Sequence, residues 1–310
     1  MVSTQPTTSV VIPTFRRPLL LERCLESVLR QTRQPDEVKV VASDPHERQA
    51  VVEIVRQVGL PQADVISGSH GLLGGQARNL GWKSCTSEVV MFVDDDDYWD
   101  DEKIFRHLSR HQETSAEVVY SGVTYVFDSS GKSFPRHAKP LGTNVKAALT
   151  SDGFCPPTTS CVSVRRAALE SVSGFDDSLQ SYQDWDLWYR LADTCKFESI
   201  PDPLTYFVQH RGDRVSMQTE RRLAAAKQLL HKYGHSTELV NFLDRELLRT
   251  IERALVFAAQ EGDAECFSRY YSEIQSRRLG VANWRTYWIL LKMLAYVSDD
   301  GLKRILGRRR

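Results

Sequence analysis

Four short apolar runs separated by helical stretches constrain the first hundred residues of this chain more than any other feature. Ser9–Ile12, Glu37–Ala42, Asp64–Ser67 and Val89–Val93 have the length and β-branched content of buried strands, with Pro13 read as the stop of the first. Between them, Pro18–Arg33 repeats apolar residues at Leu21, Cys24, Leu25, Val28 and Leu29; Gln49–Val58 carries a second helical pattern, and Gly75–Ser84 a third, opened by paired glycines. That alternation predicts an α/β fold with a parallel sheet and right-handed crossovers. In open sheets of this kind ligands bind outside the carboxyl ends of the strands. Three such ends run into PTFRRP, SDPHE and DDDDYWDDEK, and one pocket is expected to gather them.

The remainder is less regular. Strand-like runs at Val118–Phe127, Ser160–Val164 and Leu204–Val208 flank a helix at Gln183–Ala192, and from about Thr219 the pattern is wholly helical, over Arg221–Tyr233, Leu239–Gln260 and Asp263–Arg278. With 310 residues, 41% of them hydrophobic, there is material for one large domain and an appendage, or for two domains. Forty basic residues balance forty acidic ones, so bulk charge gives no nucleic-acid partner. Cys24, Cys85, Cys155, Cys161, Cys195 and Cys266 are scattered, mostly within apolar patterns, which suits buried free thiols and a reducing cytoplasm. The start of the chain has no basic, then apolar, leader pattern, and no stretch reaches the roughly 18 apolar residues of a spanning helix. A soluble protein, or one resting on a membrane surface, is expected.

Asp94 to Asp97 stand directly after the apolar run, and four like charges at a strand mouth are costly without a compensating cation. Oxygen-only donors in that place suit a hard divalent ion, Mg²⁺ or Mn²⁺, which is held by one or two carboxylates while phosphates complete the shell. Alternation along an extended segment puts Asp94 and Asp96 on one side, Asp95 and Asp97 on the other. The structural alternative is a solvated acidic loop in which Asp100 and Asp101 start a helix over Asp100–His111.

Three segments, SVVIPTFRRPLLLERCLESVLRQT, GGQARNLGWKSCTSEVVMFVDDDDYWDDEK and TTSCVSVRRAALESVSGFDDSLQSYQDWDLWYRLA, occur in an order and spacing that resembles the inverting glycosyltransferases of family 2. The resemblance covers roughly residues 8–215. It implies a GT-A fold: a Rossmann-like, mixed, mainly parallel sheet flanked by helices, here with a helical C-terminal extension. It divides the chain into a catalytic part at residues 1–215, with the donor held by about 1–115 and the acceptor by about 116–215, and a helical region at 216–310.

The resemblance also implies roles. Pro13, Thr14 and Phe15, with Arg17 beside them, match the loop against the donor base and ribose, and Arg78 and Asn79 match the helix next to the nucleotide. Asp94 and Asp96 match the carboxylates of the DXD motif, Asp95 lies near the ribose, and Asp96 is the direct metal ligand with Asp94. Asp184 matches the catalytic base, although Gln183 replaces the usual glutamate before it. Asp44, one residue later than its counterparts, is the candidate for the nucleobase, which leaves UDP- and dTDP-sugars equally favoured. In VQHRGDRVS, His210 is a candidate metal ligand and Arg211 and Arg214 candidate phosphate clamps, unless the segment is simply a solvated loop.

The chemistry these residue types allow agrees with the implied activity. An ionised carboxylate can take the proton of an attacking hydroxyl, and attack opposite a diphosphate leaving group inverts the anomeric centre. Asp184 near a helix start also has a purely structural reading as a cap, with the helix dipole expected to keep it ionised. A saccharide or lipid-linked saccharide is the implied acceptor, in polysaccharide or glycolipid assembly. The apolar Trp284–Tyr296 followed by Lys303, Arg304, Arg308, Arg309 and Arg310 suits either the inner face of an anionic membrane or packing on the catalytic domain or a second subunit. Alternatives of other classes are a sugar-phosphate nucleotidyltransferase and a non-catalytic nucleotide-sugar or carbohydrate-binding protein.

Overall fold

The computed structural model describes residues 5–68, 71–128, 130–151, 156–209, 219–234 and 236–261. Two compact units are present, Met1–Gly212 and Asp213–Arg310. In the first, β1 (Thr8–Thr14), α1 (Pro18–Leu29), β2 (Glu37–Ala42), α2 (Arg48–Val58), β3 (Ala63–Ser67), α3 (Gly74–Lys83) and β4 (Val89–Phe92) alternate as the sequence predicts. Then follow β5 (Tyr98–Trp99), α4 (Lys103–Thr114), β6 (Val118–Phe127), β7 (Lys132–Arg136), α5 (Val145–Thr150), β8 (Val162–Arg165), α6 (Arg166–Ser171), α7 (Gln183–Leu191) and β9 (Phe197–Gln209).

Among the described residues the nine strands share one sheet in the order β3-β2-β1-β4-β8-β6-β9-β5, with β7 on β6. The β3-β2-β1-β4 half is parallel, and β8 runs antiparallel between β4 and β6. Helices cover both faces, which is why the central strands are apolar on both sides. Val10, Ile12, Val40 and Met91 pack with Leu21, Leu25 and Leu108 on one face; Val11, Val41, Val90 and Phe92 pack with Ala77, Trp82 and Trp188 on the other. Helix α3 approaches closely because of Gly81, where a Cβ would come within 2.3 Å of Val11 Cγ1.

Several boundaries differ from the sequence reading. Pro13 does not stop β1: it pairs with Val41 within the strand. Val11 O accepts from Val93 N while Thr14 O accepts from Ser43 N, so Pro13 faces the β4 side, beyond the last β4 pairing at Phe92. Its missing N–H therefore costs no ladder bond. The helix expected from Asp100 begins at Lys103, because Tyr98 and Trp99 form a short strand against β9. Strands β7 and β9 are respectively unforeseen and far longer than expected, and α5 and α6 are too short to show a period.

In the second unit, α8 (Thr219–Tyr233) and α9 (Thr237–Glu261) form a helix pair in which Arg222 donates to Thr250 Oγ1 at 2.9 Å and Glu246 Oε2 at 3.2 Å. The Asp263–Arg278 helix and the basic end lie outside the described residues. Among the described residues no helix is long and apolar enough to cross a membrane. Cys24, Cys85 and Cys161 are buried free thiols, and Cys195 is free and half-buried.

Helix α4 carries an unusual buried polar cluster. Lys103 Nζ, fully buried, lies 3.0 Å from His107 Nε2, 3.2 Å from Ser121 Oγ and 5.4 Å from the Trp99 ring. His107 Nδ1 and His111 Nε2 both reach Ser163 Oγ at 2.8 Å. Burial pushes Lys103 down to about 7, His111 down to about 4, and His107 well below its ordinary value. The folded protein thus holds fewer protons than the unfolded chain between about pH 4 and 6.5 through the histidines, and between about 7 and 10.5 through Lys103. Stability rises with pH across both windows. Lys103→Met is expected to flatten the upper window, removing up to about 1.4 kcal/mol per pH unit from the rise. Urea unfolding of both proteins at pH 7 and 9 checks this, and an unaltered slope in the variant would refute it.

Candidate active site

Strands β1, β2 and β4 are adjacent and parallel, so the three distinctive loops leave one edge of the sheet together. After β4 the chain does not stay extended. Asp97 N donates to Asp94 O at 3.0 Å, closing a turn, and this corrects the alternation expected for the four aspartates. The turn brings carboxylate oxygens of Asp94, Asp96 and Asp97 within 4.8 Å of one another. Asp97, overlooked in the sequence, is fully buried and held by Ser160 Oγ at 2.6 Å and the Val208 amide at 3.1 Å. The signal for it was the turn that a polar run at a strand end invites.

Asp95 points instead to the β1 loop. Its Oδ2 accepts from Thr14 Oγ1 at 2.9 Å and Phe15 N at 3.3 Å, and its Oδ1 from Arg17 Nη1 at 3.2 Å. Arg17 Nη1 also reaches Asp96 Oδ2 at 3.0 Å, Arg23 donates to the Asp96 carbonyl at 2.9 Å, and Arg78 pairs with Asp94. Guanidinium groups are therefore the cations that the acidic run requires in this state. They do not neutralise it fully: burial and then the Asp96 charge push Asp95 up to about 7. Burial, then Asp96 and Asp94, raise Asp97 well above the ordinary range.

The β1 loop is strained where it meets β2. Arg16 adopts a left-handed φ of 55°, which aims its guanidinium at Asp44, 3.1 Å away, and its amide at Glu47. Asp44 is buried and also caps the following 3-10 turn through His46 N. Phe15 stays nearly half exposed, with the Arg16 guanidinium 5.0 Å from its ring.

Asp184 is the second residue of α7, preceded by Tyr182 in a left-handed conformation, φ 57°. Its Oδ1 takes the Trp185 amide at 2.8 Å. Its pKa is raised, because burial outweighs the Trp185 amide and the opposing charge of Arg78, and Asp94 adds to the rise. Arg78 thus serves two carboxylates far apart in sequence, Asp94 by a direct pair and Asp184 through its field.

Residues 9–173 match the sequence model of Glycosyl transferase family 2. The chain is a family 2 glycosyltransferase. It is 28% identical over 254 residues to the amylovoran biosynthesis glycosyltransferase AmsE of Erwinia amylovora, covering 78% of this chain and 93% of that one. An uncharacterized glycosyltransferase of Nostoc, alr2836, is 27% identical over 220 residues, 65% of this chain and 64% of the relative. Among solved structures, S. aureus TarS in complex with UDP-GlcNAc superposes with a TM-score of 0.57 at 20% identity, covering 83% of this chain and 75% of that one. The mannosyltransferase PcManGT of Pyrobaculum calidifontis, in complex with GDP-Man and Mn²⁺, gives 0.56 at 17% identity, with 99% and 89% covered. These likenesses place the transferase in the GT-A fold, and membership of the family displaces the nucleotidyltransferase alternative.

Asn79, on the helix that the resemblance sets beside the nucleotide, is buried in the transferase interior, where Nδ2 donates to Phe175 O (2.7 Å) and Asp177 Oδ1 (2.8 Å) and Oδ1 accepts from Phe175 N and Trp82 Nε1. It ties α3 to the turn that leads into α7, because an amide buried there must satisfy every group. Trp188 is core, Trp185 stacks on Tyr189 at 4.8 Å, and Asp186 pairs with Arg190 one helical turn on. Gln183, in place of the family's glutamate, turns back to Leu179 O at 2.7 Å. His210, Arg211 and Arg214 lie outside the described residues.

Proposed function

We propose that this glycosyltransferase moves a sugar from a nucleoside-diphosphate sugar to an acceptor hydroxyl with inversion, depends on Mn²⁺ or Mg²⁺, and serves polysaccharide or glycolipid assembly. The observation that carries the reading is the gathering of Asp94, Asp96 and Asp97 within 4.8 Å at the β4 end, with Arg78 between that cluster and Asp184. Three oxygen donors this close fit a hard divalent ion, and the guanidinium groups now in contact with them mark how much positive charge the place demands. Asp96 and Asp94, with Asp97 behind them, would hold the ion, which when bound supplies Lewis-acid stabilisation to a departing diphosphate.

The chain's own residues supply the rest. Asp184, its proton affinity raised by burial, takes the proton of the attacking hydroxyl. Arg17 and Arg78 offer guanidinium donors suited to phosphate oxygens. Pro13, Thr14 and Phe15, fixed by Asp95, present the loop against the nucleoside, with Asp44 at its far side. In this reading residues 1–215 are the catalytic part, about 1–115 for donor and 116–215 for acceptor. The UDP-GlcNAc and GDP-Man complexes of the structural neighbours and the amylovoran role of AmsE support the substrate class.

A thermal-shift panel of UDP, dTDP, GDP and their sugars, with and without Mn²⁺, tests the proposal. At a hundredfold excess over Kd, a ligand specific for the folded state adds about 2.7 kcal/mol. The expected result is a shift of roughly 5 °C or more for one nucleobase, only with Mn²⁺ present. A flat panel would reject the reading.

A further inference from the structure

Strands β6, β7 and β9 present an aromatic and basic wall that no step of the transfer uses. Register places Tyr125 opposite Phe134 on β7 and Phe207 on β9, and Phe127 opposite Lys132. Residues two apart share a face, so all of these stand on one side of the sheet, as does Arg136, the partner of Val123. Phe127 packs edge-on against Phe134 at 5.9 Å, Tyr125 against Phe207 at 5.6 Å, and Arg136 Nη1 donates to the Tyr125 hydroxyl at 3.4 Å. Phe127 and Phe134 remain 37% and 55% exposed.

Two features tie the wall to the candidate active site. Strands β9 and β6 run parallel to β4, so their carboxyl ends lie at the same edge as the aspartates. Val208, between Phe207 and Gln209, donates its amide to Asp97. Two strand spacings, about 10 Å, separate that amide from β7, the reach of one or two sugar units. The inner end of the wall, Val123, Tyr125 and Phe207, also continues the core that packs against α7, whose first turn holds Asp184.

At its foot lies a small open pocket lined by Gly122, Arg136, His137 and Pro157 among others. Gly122 keeps the strand crossing there tight: a Cβ would meet Arg136 O at 2.6 Å and Pro201 O at 2.8 Å. Residues 132–139, KSFPRHAK, contain no acid. Pro135 and Lys132 on an exposed edge discourage strand pairing with another chain. What the edge offers is therefore its side chains.

We propose that this wall binds a saccharide acceptor that carries an acidic substituent, a carboxylate or phosphate. Sugar rings lie on Phe127 and Phe134, whose apolar faces suit the C–H face of a pyranose. The anion meets Lys132 or Arg136, which flank Phe134 on either side along β7; the planar guanidinium of Arg136 matches two oxygens. The assignment rests on the transferase reading above and names the chemistry of its acceptor.

The test is binding of the full chain to an array of uronate- or phosphate-bearing glycans beside their neutral counterparts. Phe127→Ser/Phe134→Ser and Lys132→Gln/Arg136→Gln are compared with the unaltered chain. Acidic glycans are expected to be retained preferentially, the aromatic pair of substitutions to lower retention about tenfold or more, and the basic pair to erase the preference for acidic over neutral glycans. No retention, equal retention of neutral glycans, or indifference to both pairs would overturn the assignment. If the aromatic variant unfolds, the basic pair, on a wholly exposed strand, decides alone. The Mn²⁺–nucleoside diphosphate thermal shift is run alongside: its absence in the unaltered chain would defeat the transferase reading, whereas its survival in every variant leaves the array result to judge the wall.

Discussion

Asp184→Asn is expected to lower the rate of sugar transfer about 1,000-fold while leaving donor affinity within a factor of about two, because general bases contribute 10²–10⁴ and the substitution is isosteric. The pH profile gives a second readout. Burial raises the Asp184 carboxyl, so activity of the unaltered protein falls as pH drops through that raised value, and the residual activity of the variant loses this acid limb. Stability moves the opposite way. A carboxyl raised in the folded state binds more protons folded than unfolded, so its contribution favours the fold at low pH and weakens as pH rises. The neutral amide has no such cost, and the melting temperature of the variant at pH 8 is expected to equal or exceed that of the parent. Release of nucleoside diphosphate under single-turnover conditions checks the rate. A loss smaller than tenfold would remove Asp184 from the role of base.

Asp96→Asn is expected to weaken Mn²⁺ binding at least about 100-fold, since removing even an outer-shell partner of a metal ligand costs 10- to 100-fold. Nucleoside diphosphate binding becomes insensitive to the metal as a consequence. In metal-free solution the change should instead stabilise the fold, because Asp96 is the charge that, after burial, most raises both Asp95 and Asp97. The opposed signs separate this explanation from simple misfolding. Calorimetric titration with Mn²⁺ and a melting curve in chelator measure the two halves, and unchanged metal affinity would sink the proposed ligand set.

Much of the fold was legible because it is local. Strand and helix periods in the first 95 residues predict β1 to β4 and the helices between them to within a few residues, since apolar spacing at two or 3.6 residues is set by which face each element buries. Legibility failed where an element has no period of its own. The two-residue β5 exists through its partner β9, β7 is exposed throughout, and α5 and α6 are a turn and a half long. Asn79 shows the same limit at a single residue: no local period gives its four hydrogen bonds, which go to Trp82, Phe175 and Asp177.

What the sequence by itself determined is the parallel βα half, the acidic run at the mouth of its fourth strand, and the ordered motifs that mark the family. Those are properties of neighbours along the chain: burial periodicity and like charges placed side by side. Only the tertiary structure decided which partners answer those charges. Arg17 meets Asp95 and Asp96 across nearly eighty residues, Ser160 and Val208 fix Asp97, and Arg78 stands between Asp94 and Asp184. Those pairings depend on strand order, which sets Ser160 and β9 against the turn, and no local spacing encodes them.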